Sequence, residues 1–307
     1  MLLALGAPAS AAAAGGVSAF YYPWYGTPEL DGSYLHWQHE GHFPPTDIAA
    51  GYYPARGLYS SADPALLAAH MREMASIGID EVVSSWWGWG SPEDLRLPAV
   101  IAAARARGLE VAVQIEPYEK WLRSLDVLEA DLGHLRQLGI TRAYVFKPFD
   151  GVYTYDIVHH TPTTFRRLCA KARALRLVCA PSVGPGYDAR RVTGDPRVLG
   201  RRGGTTYDAM WAAALEAGAD RVTITSYNEW HEGTQIEAAT AVAAERSGSR
   251  GPASSPVEGR YASYDGAWGL TGTKAGRAYL VRTAVWTRLF HAMRSTLATA
   301  QAAAGTR

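Results

Sequence analysis

Two glutamates that lie three residues apart are the clearest candidates for acid–base chemistry in this sequence. Glu229 and Glu232 stand in the segment Tyr227-Asn228-Glu229-Trp230-His231-Glu232-Gly233. On a helical turn this spacing places the two Cβ atoms about 5–6 Å apart, and retaining glycosidases hold their carboxyl groups about 5–5.5 Å apart. Like charges this close push their pKa values apart, so that one carboxyl group can donate a proton while the other is ionised. A solvated acidic turn would also fit, because Glu-x-x-Glu alone is common.

Side chains suited to carbohydrate binding follow the predicted strands. Sugar rings present flat C–H faces and a rim of hydroxyl groups, which suit Trp and Tyr, and the sequence has 10 Trp and 17 Tyr against only 6 Phe. Core packing is the alternative explanation, but the clustering of these residues at strand ends favours a cleft. The residues predicted to bind substrate are Tyr22, Trp24, Trp86, Trp87, Glu116, Tyr118, Asp150, Tyr153, Tyr227, Asn228, Trp230 and His231.

Short apolar runs alternate with helical periods along the chain, which is typical of βα units. Three of the runs begin at a spacing of about 30 residues, the size of a βαβ step. We therefore expect one parallel (β/α)8 barrel, with its active site at the carboxyl ends of the strands. The predicted strands are 17–22, 79–85, 109–115, 144–146, 177–181 and 221–225, with a seventh if 151–155 forms one. A complete barrel needs eight.

Composition limits the class of protein. The chain has 307 residues, of which 48% are apolar, so a single large domain can bury a sizeable core. A net charge of +1 gives no reason to expect a nucleic acid or a membrane surface as partner. Residues 1–16 are interpreted as the remnant of a secretory signal peptide or as a disordered Ala-rich arm. We expect residues 17–300 to form the catalytic domain of a secreted or extracytoplasmic monomer without a membrane span.

The two cysteines and the histidines show no metal-binding pattern. Cys169 and Cys179 lie in neither a CxxC nor a Cys/His zinc spacing, and none of the nine histidines belongs to an HExxH motif. We expect no metal and no cofactor. The cysteines could form one disulfide or remain two buried thiols, and the thiols are the favoured interpretation.

Eight stretches of the sequence resemble glycoside hydrolase family 99, the endo-α-mannosidase and endo-α-mannanase family. The most specific stretch is residues 224–237, which contains both glutamates. The others occur in family order at residues 20–26, 36–37, 58–61, 85–87, 115–118, 150–155 and 181–187.

The resemblance implies a (β/α)8 barrel that hydrolyses internal α-mannoside linkages with retention of configuration and without a metal. It further implies that Glu229 removes the proton of the substrate 2-hydroxyl, which attacks C1 to give a 1,2-anhydro sugar. This is an exception to the usual carboxylate nucleophile. Glu232 would be the general acid and then the base for water. Residues Tyr22, Trp87, Glu116, Tyr118 and Tyr153 would line the sugar subsites, and the partner would be an α-mannan or a mannose-containing oligosaccharide.

The middle of the chain departs from the family pattern. Relatives carry a further strand and helix between the segments that correspond to residues 115–118 and 150–155, whereas residues 144–149 lead straight into Asp150 here. We therefore expect one βα unit to be missing or degenerate around residues 141–155. Two alternatives to an active mannoside hydrolase remain open: a carbohydrate-binding barrel with impaired catalysis, and an α-glycanase of another specificity.

Overall fold

A curved parallel sheet forms the centre of the protein. The computed structural model describes residues 15–39, 41–117, 125–144, 150–240 and 261–305. Six strands pair in parallel in the spatial order β4-β3-β2-β1-β10-β7. Their bounds are Val17–Tyr21 (β1), Glu81–Trp86 (β2), Glu110–Ile115 (β3), Ala143–Tyr144 (β4), Ser182–Val183 (β7) and Val222–Ile224 (β10). All residues of β1 and β2 are buried, as expected for parallel strands covered on both faces.

A short pair of strands extends this arc by one position. Strand β5 (Gly151–Tyr153) pairs in parallel with β6 (Val178–Ala180). Only Pro181 separates β6 from β7, and proline has no N–H with which to continue a ladder. The chain from 178 to 183 is therefore one interrupted strand that joins β5 to the six-stranded sheet. The remaining strands, β8 (Tyr187–Asp188) and β9 (Val198–Leu199), form an antiparallel hairpin.

The ring of strands is incomplete between β4 and β5. Within the parts of the chain that the structure describes, no backbone ladder joins these two strands. Aromatic side chains meet there instead: the ring centroids of Tyr144 and Tyr153 are 5.1 Å apart, and Phe20 lies 5.8 Å and 6.0 Å from them. The prediction of a barrel with a degenerate unit around residues 141–155 is confirmed. Residues 145–149, which include the end of the predicted fourth strand, lie outside the described residues.

Helices cover the outer face of the strands. They are α1 (Pro28–Asp31), α2 (Pro64–Ser76), α3 (Pro92–Arg105), α4 (Leu125–Gln137), α5 (Pro162–Ala174), α6 (Thr205–Glu216), α7 (Gly272–Gly276) and α8 (Ala278–Gly305). Helices α2 and α3 begin at side-chain caps, because Asp63 and Ser91 accept hydrogen bonds from the first-turn amides of Ala65 and Asp94. Among the described residues, no helix is long and apolar enough to cross a membrane.

Side chains along β1 alternate between the barrel interior and the helices. Ser18 points inward and donates to buried Glu81 at 2.8 Å, Phe20 fills the middle, and Tyr22 reaches the carboxyl-terminal end. Tyr21 points outward, to His70 of α2. The interior is thus layered, and the upper layer is the one available for chemistry.

The two cysteines form a disulfide, so the expectation of two free thiols was wrong. Cys169 of α5 and Cys179 of β6 are both completely buried, and their Cα atoms lie 5.2 Å apart, a separation that permits a disulfide. The bond ties α5 to β6, the strand that pairs with β5.

Candidate active site

The turn after β10 carries both candidate carboxylates. It is closed at its base by Ser226, whose N–H donates to the Thr234 carbonyl at 3.0 Å and whose Oγ accepts from the Glu229 N–H at 2.8 Å. Gly233 reverses the chain with φ = 64°, a left-handed conformation that glycine adopts without strain. Asn228 then anchors the turn to the end of β1. Its side-chain amide accepts from the Tyr22 N–H at 2.8 Å and donates to the Tyr22 carbonyl at 3.1 Å.

Glu229 lies deeper than Glu232. It is only 2% exposed, and its Oε1 accepts from the backbone N–H groups of His231 at 2.8 Å and Glu232 at 3.4 Å. Burial raises the pKa of Glu229 well above its ordinary value, and the nearby charge of Glu232 raises it further, although the two N–H donors oppose the shift. This carboxyl group is buried and held in place by the backbone of its own turn.

Glu232 faces an open pocket. Burial raises the pKa of Glu232 to about 7, with added contributions from the charges of Asp156 and Asp195. The pocket, counted together with the solvent at its open mouth, has a volume of about 330 Å³. It is lined by Tyr155, Asp156, Ile157, Tyr187, Arg197, Thr225, Glu232 and Thr234. A carboxyl group that titrates near neutral pH beside such a space can exchange a proton with a bound molecule.

A pair of tyrosines reaches Glu232 from the strands next to the turn. The Tyr155 hydroxyl donates to Oε2 of Glu232 at 3.2 Å and is hydrogen-bonded to the Tyr22 hydroxyl. Burial and the neighbouring carboxylates raise the pKa of both tyrosines well above the usual value, so both remain protonated. Tyr155 was not among the predicted site residues. It lies two residues after Tyr153, and strand alternation, which puts positions i and i+2 on one face, was the signal that pointed to it.

Glu116 is a third buried carboxyl group in the site. It follows β3, is 7% exposed, and accepts from Ser85 Oγ at 2.9 Å and Gln114 Nε2 at 3.1 Å. Burial raises the pKa of Glu116 to about 7, and the charge of Glu232 raises it further, against the effect of the two hydrogen bonds. Trp87 is 38% exposed, and its Nε1 donates to the same Ser85 hydroxyl at 3.1 Å. Trp87 and Glu116 are therefore held together at the carboxyl ends of β2 and β3.

An aromatic stack borders the turn on the β1 side. Trp24 lies 4.5 Å from the His36 ring at an interplanar angle of 6°, and 4.7 Å from Tyr22. His231 joins this stack and hydrogen-bonds to the His36 carbonyl. Burial lowers the pKa of His231 to about 4, so this imidazole is neutral near pH 7 and contributes no charge to the carboxylate pair.

Several residues that were predicted to bind substrate are instead buried behind the carboxylate turn. Tyr227, Asn228 and Trp230 are completely buried, and no surface of these side chains is left for a sugar in this structure. Trp230 Nε1 donates to Tyr59 and Glu237, and the Tyr227 hydroxyl donates to Glu73 at 2.9 Å. The sequence reasoning missed this buried network because its members come from distant segments with no shared local pattern.

Three other predicted residues are not brought into the pocket. Trp86 is completely buried in a separate apolar cluster between β2, β3 and α3, and its Nε1 donates to Asp94 at 2.8 Å. Asp150 is exposed and precedes β5, so it lies at the amino-terminal end of the strand, away from the carboxylate turn. Tyr118 lies outside the described residues. Tyr153 does reach the interior, where its ring packs on Phe20 and Tyr144.

Titratable side chains in the described ranges form no group of three or more that could hold a metal ion. The chemistry available to this arrangement is proton transfer by paired carboxyl groups, with Tyr155 and Tyr22 as neutral hydrogen-bonding groups beside them.

Comparisons with known proteins place this geometry in context. The family described as Glycosyl hydrolase family 99 matches residues 14–137 and 136–247 of the chain. The glycoprotein endo-alpha-1,2-mannosidase of Rattus norvegicus is 29% identical in an alignment that covers 73% of this chain and 68% of that protein. The endo-alpha-1,2-mannosidase-like protein of Danio rerio is also 29% identical, over 73% of this chain and 71% of its own.

A solved structure shares the fold over most of its length. The family 99 endo-alpha-mannosidase from Bacteroides thetaiotaomicron superposes with a TM-score of 0.75 at 25% sequence identity. The alignment covers 91% of this chain and 98% of that one. The incomplete ring described above therefore belongs to the same architecture as that enzyme.

Proposed function

This chain belongs to glycosyl hydrolase family 99, and from that premise we propose that it is a retaining endo-acting α-mannoside hydrolase with Glu229 and Glu232 as its catalytic residues. The protein is a glycoside hydrolase of this family. A mannose-containing glycan as substrate is supported by the relatives named as endo-alpha-1,2-mannosidases. The observation that carries the proposal is the turn itself, in which burial raises the pKa of both carboxyl groups and the charge of Glu232 raises that of Glu229 further.

The pair holds one proton between its two carboxyl groups near neutral pH, because ionising both would place two negative charges together in a buried site. Burial alone would leave the proton on Glu229, which is the more deeply buried of the two. The two backbone N–H groups that donate to its Oε1 oppose this, and we propose that the acting form of the pair has Glu229 ionised. The proton is then on Glu232, which faces the pocket. This distribution supplies one base and one acid before substrate binds.

Hydrolysis then proceeds in two steps. In the first, Glu229 takes the proton of the substrate 2-hydroxyl, the oxygen attacks C1 to close a 1,2-anhydro ring, and the departing glycosidic oxygen receives the proton of Glu232. In the second, Glu232 takes a proton from water, the water oxygen opens the ring at C1, and Glu229 returns its proton to O2. Two inversions at C1 give overall retention, and both carboxyl groups end in their starting states.

A leaving-group comparison tests the role of Glu232. Glu232→Gln cannot protonate the departing oxygen, and general acid catalysis contributes about 10²–10⁴-fold. We expect kcat/KM of this variant to fall by that order on natural mannoside linkages, and by much less on an α-mannoside whose aryl leaving group departs without protonation. The measurement is kcat/KM on both substrates for wild type and variant, because this ratio reports the first step, whereas kcat also includes the second step, in which Glu232 is the base for water.

Asp156→Asn provides the matched control for this comparison. Asp156 lines the same pocket, where burial raises its pKa but hydrogen bonds from His159 and Arg197 hold it below its usual value. It therefore has no proton to donate. Its replacement removes a charge that raises the pKa of Glu232, so the comparison is made at a pH at which Glu232 stays protonated, where both substrates should be affected equally. Equal losses of turnover for Glu232→Gln on the two substrates would contradict the assignment.

We also propose that the enzyme acts outside the cytoplasm. The disulfide between Cys169 and Cys179 supports an oxidising compartment. The interpretation of residues 1–16 as a signal remnant stays a prediction, and residues 1–14 lie outside the described residues. Alkylation of the protein purified from its native compartment tests the location: two blocked thiols would contradict it.

A further inference from the structure

An exposed tryptophan stands at the edge of the candidate active site. Trp89 lies in the loop between β2 and α3, two residues after Trp87, and is 63% exposed. Parallel strands of this arc end at one face, so the loop after β2 belongs to the same face as the carboxylate turn after β10. Trp87 connects the loop to the site through Ser85, which also donates to Glu116.

The indole ring of Trp89 rests on a rigid backing. One face stacks on the imidazole of His134 from α4, with the ring centroids 4.4 Å apart and an interplanar angle of 11°. His134 Nε2 in turn donates to Oδ1 of Asp94 at 2.8 Å. A ring fixed in this way needs little further ordering when a ligand binds, which lowers the entropic cost of the contact.

Asp94 also fixes the loop that carries Trp89. Its Oδ1 accepts from the buried Trp86 Nε1 at 2.8 Å, and its Oδ2 accepts from the N–H of Gly90 at 2.9 Å. The Asp94 N–H itself donates to the helix cap Ser91 at 3.1 Å. The residue that follows Trp89 is therefore tied to the start of α3. Exposed apolar side chains are ordinary when they occur singly. The side chain of Trp89 differs because a hydrogen bond fixes the neighbouring backbone and His134 fixes the ring.

We propose that Trp89 is an outer sugar-binding platform that stacks on a mannose unit of the chain beyond the units next to the cut, with His134 and Asp94 as its positioning residues. The inference rests on the proposed function, since it takes the substrate to be a polymeric α-mannan. A pyranose offers the ring a flat face of C–H groups, and indole is the largest flat surface that a protein can present to it. The site thereby favours long chains over short ones.

The dependence of kcat/KM on substrate length tests the platform. The substrates are α-mannooligosaccharides of increasing length, and the proteins are wild type, Trp89→Ala and Leu175→Ala. Leu175 is 69% exposed at the end of α5, which leads to the opposite face of the barrel, so its variant matches the loss of exposed apolar surface.

For wild type we expect kcat/KM to rise with length until a sugar reaches Trp89. Trp89→Ala should lose about tenfold on long chains, as expected for truncation of an aromatic anchor, and nothing on the shortest chain.

Two results would overturn the proposal. One is a kcat/KM of Trp89→Ala that rises with substrate length as steeply as that of wild type. The other is a loss of kcat/KM on the shortest chain as large as the loss on long chains. A second measurement distinguishes failure of the platform from failure of the proposed function. It is the binding of long α-mannan, measured by affinity electrophoresis independently of cleavage. A wild-type protein that binds mannan but does not cleave it would contradict the hydrolase assignment, whereas unchanged binding by Trp89→Ala would contradict only the platform. Near-ultraviolet circular dichroism confirms that each variant is folded.

Discussion

At the level of single residues, burial has the largest influence on the candidate site. It is the main cause of the raised pKa of Glu229, Glu232 and Glu116. The charge of Glu232 raises the pKa of the other two further, and the charges of Asp156 and Asp195 raise that of Glu232. Hydrogen bonds then separate the three groups, because Glu229 is held by backbone N–H groups, Glu232 by a tyrosine hydroxyl, and Glu116 by Ser85 and Gln114. Three similar side chains thus have different hydrogen-bond partners, although the pKa values of Glu232 and Glu116 are both raised to about 7.

Glu116 should make the stability of the protein depend on pH. Its pKa is about 7 in the folded state against 4.5 ordinarily, so folded protein binds this proton more tightly than unfolded protein does. The resulting stabilisation is fully present below pH 4.5 and is lost as the pH rises through about 7. Each tenfold change in proton affinity corresponds to about 1.4 kcal/mol. Between pH 5 and pH 8, wild type should lose roughly 2–3 kcal/mol of unfolding free energy through this group, and Glu116→Gln should not. The stability of the variant relative to wild type should therefore rise by that amount over this range.

Urea unfolding at several pH values measures this difference. Replacing the carboxylate by an amide also disturbs the hydrogen bonds from Ser85 and Gln114, but that effect is constant with pH and shifts the whole curve. The slope is therefore the informative quantity. Parallel curves for wild type and variant would show that Glu116 titrates at its ordinary pKa.

Residue patterns in the sequence indicated the two candidate acids more successfully than the residues that surround them. Spacing and the position after a strand were enough to find Glu229 and Glu232. The hydrogen bond from Tyr155 to Glu232 spans 77 positions in the chain, and local periodicity indicates only which face of a strand a residue occupies, not its partner there. Asp150 shows the opposite error, because it was treated as a strand-end residue, whereas β5 begins directly after it.

At the level of elements, the gap between β4 and β5 is the least conventional part of the fold. Backbone hydrogen bonds would normally join neighbouring barrel strands, and here the rings of Phe20, Tyr144 and Tyr153 occupy the junction. The Tyr144 hydroxyl also donates to Glu81 at 2.8 Å, which fixes β4 against β2. Among the described residues, side-chain packing therefore joins β4 and β5 where no backbone ladder does.

Phe20→Ala should open this junction selectively. Phe20 is 1% exposed and contacts aromatic rings from both sides of the gap, so its truncation leaves a cavity and costs about 3–5 kcal/mol. Phe290→Ala is the control, since Phe290 is completely buried in α8 and its truncation should destabilise the protein to a similar degree. Hydrogen exchange should show early opening of β4 and β5 in the first variant only. Uniform exchange in both variants would mean that the aromatic rings do not hold the gap.

The sequence predicted most elements because their determinants are local. Apolar runs indicated the buried strands β1, β2 and β3, and the departure from the family pattern indicated the degenerate unit. The disulfide could not be predicted in the same way. Whether Cys169 and Cys179 approach each other depends on how α5 packs on β6, which the sequence separation of 10 residues leaves open.

At the level of the whole molecule, the incomplete ring and the carboxylate turn after β10 occupy different parts of the barrel. Strand β10, which leads into the turn, pairs on one side with β1 and on the other with β7, so the carboxylates stand on the fully paired part of the sheet. Of the strands beside the gap, β5 leads into Tyr155, the residue that donates to Glu232. The disulfide stabilises that side by tying β6 to α5. The architecture therefore tolerates a missing ladder without losing the geometry around the two acids.

The most direct test is the anomeric configuration of the first product released from an α-1,2-linked mannan. Proton NMR recorded during the first turnovers should show new α-anomeric reducing ends on oligosaccharides, followed by slow mutarotation to the β-anomer. A variant that combines Glu229→Gln with Glu232→Gln should give no new signal. First appearance of the β-anomer, release of single mannose units from chain ends, or cleavage of an α-glucan while the mannan stays intact would contradict the account.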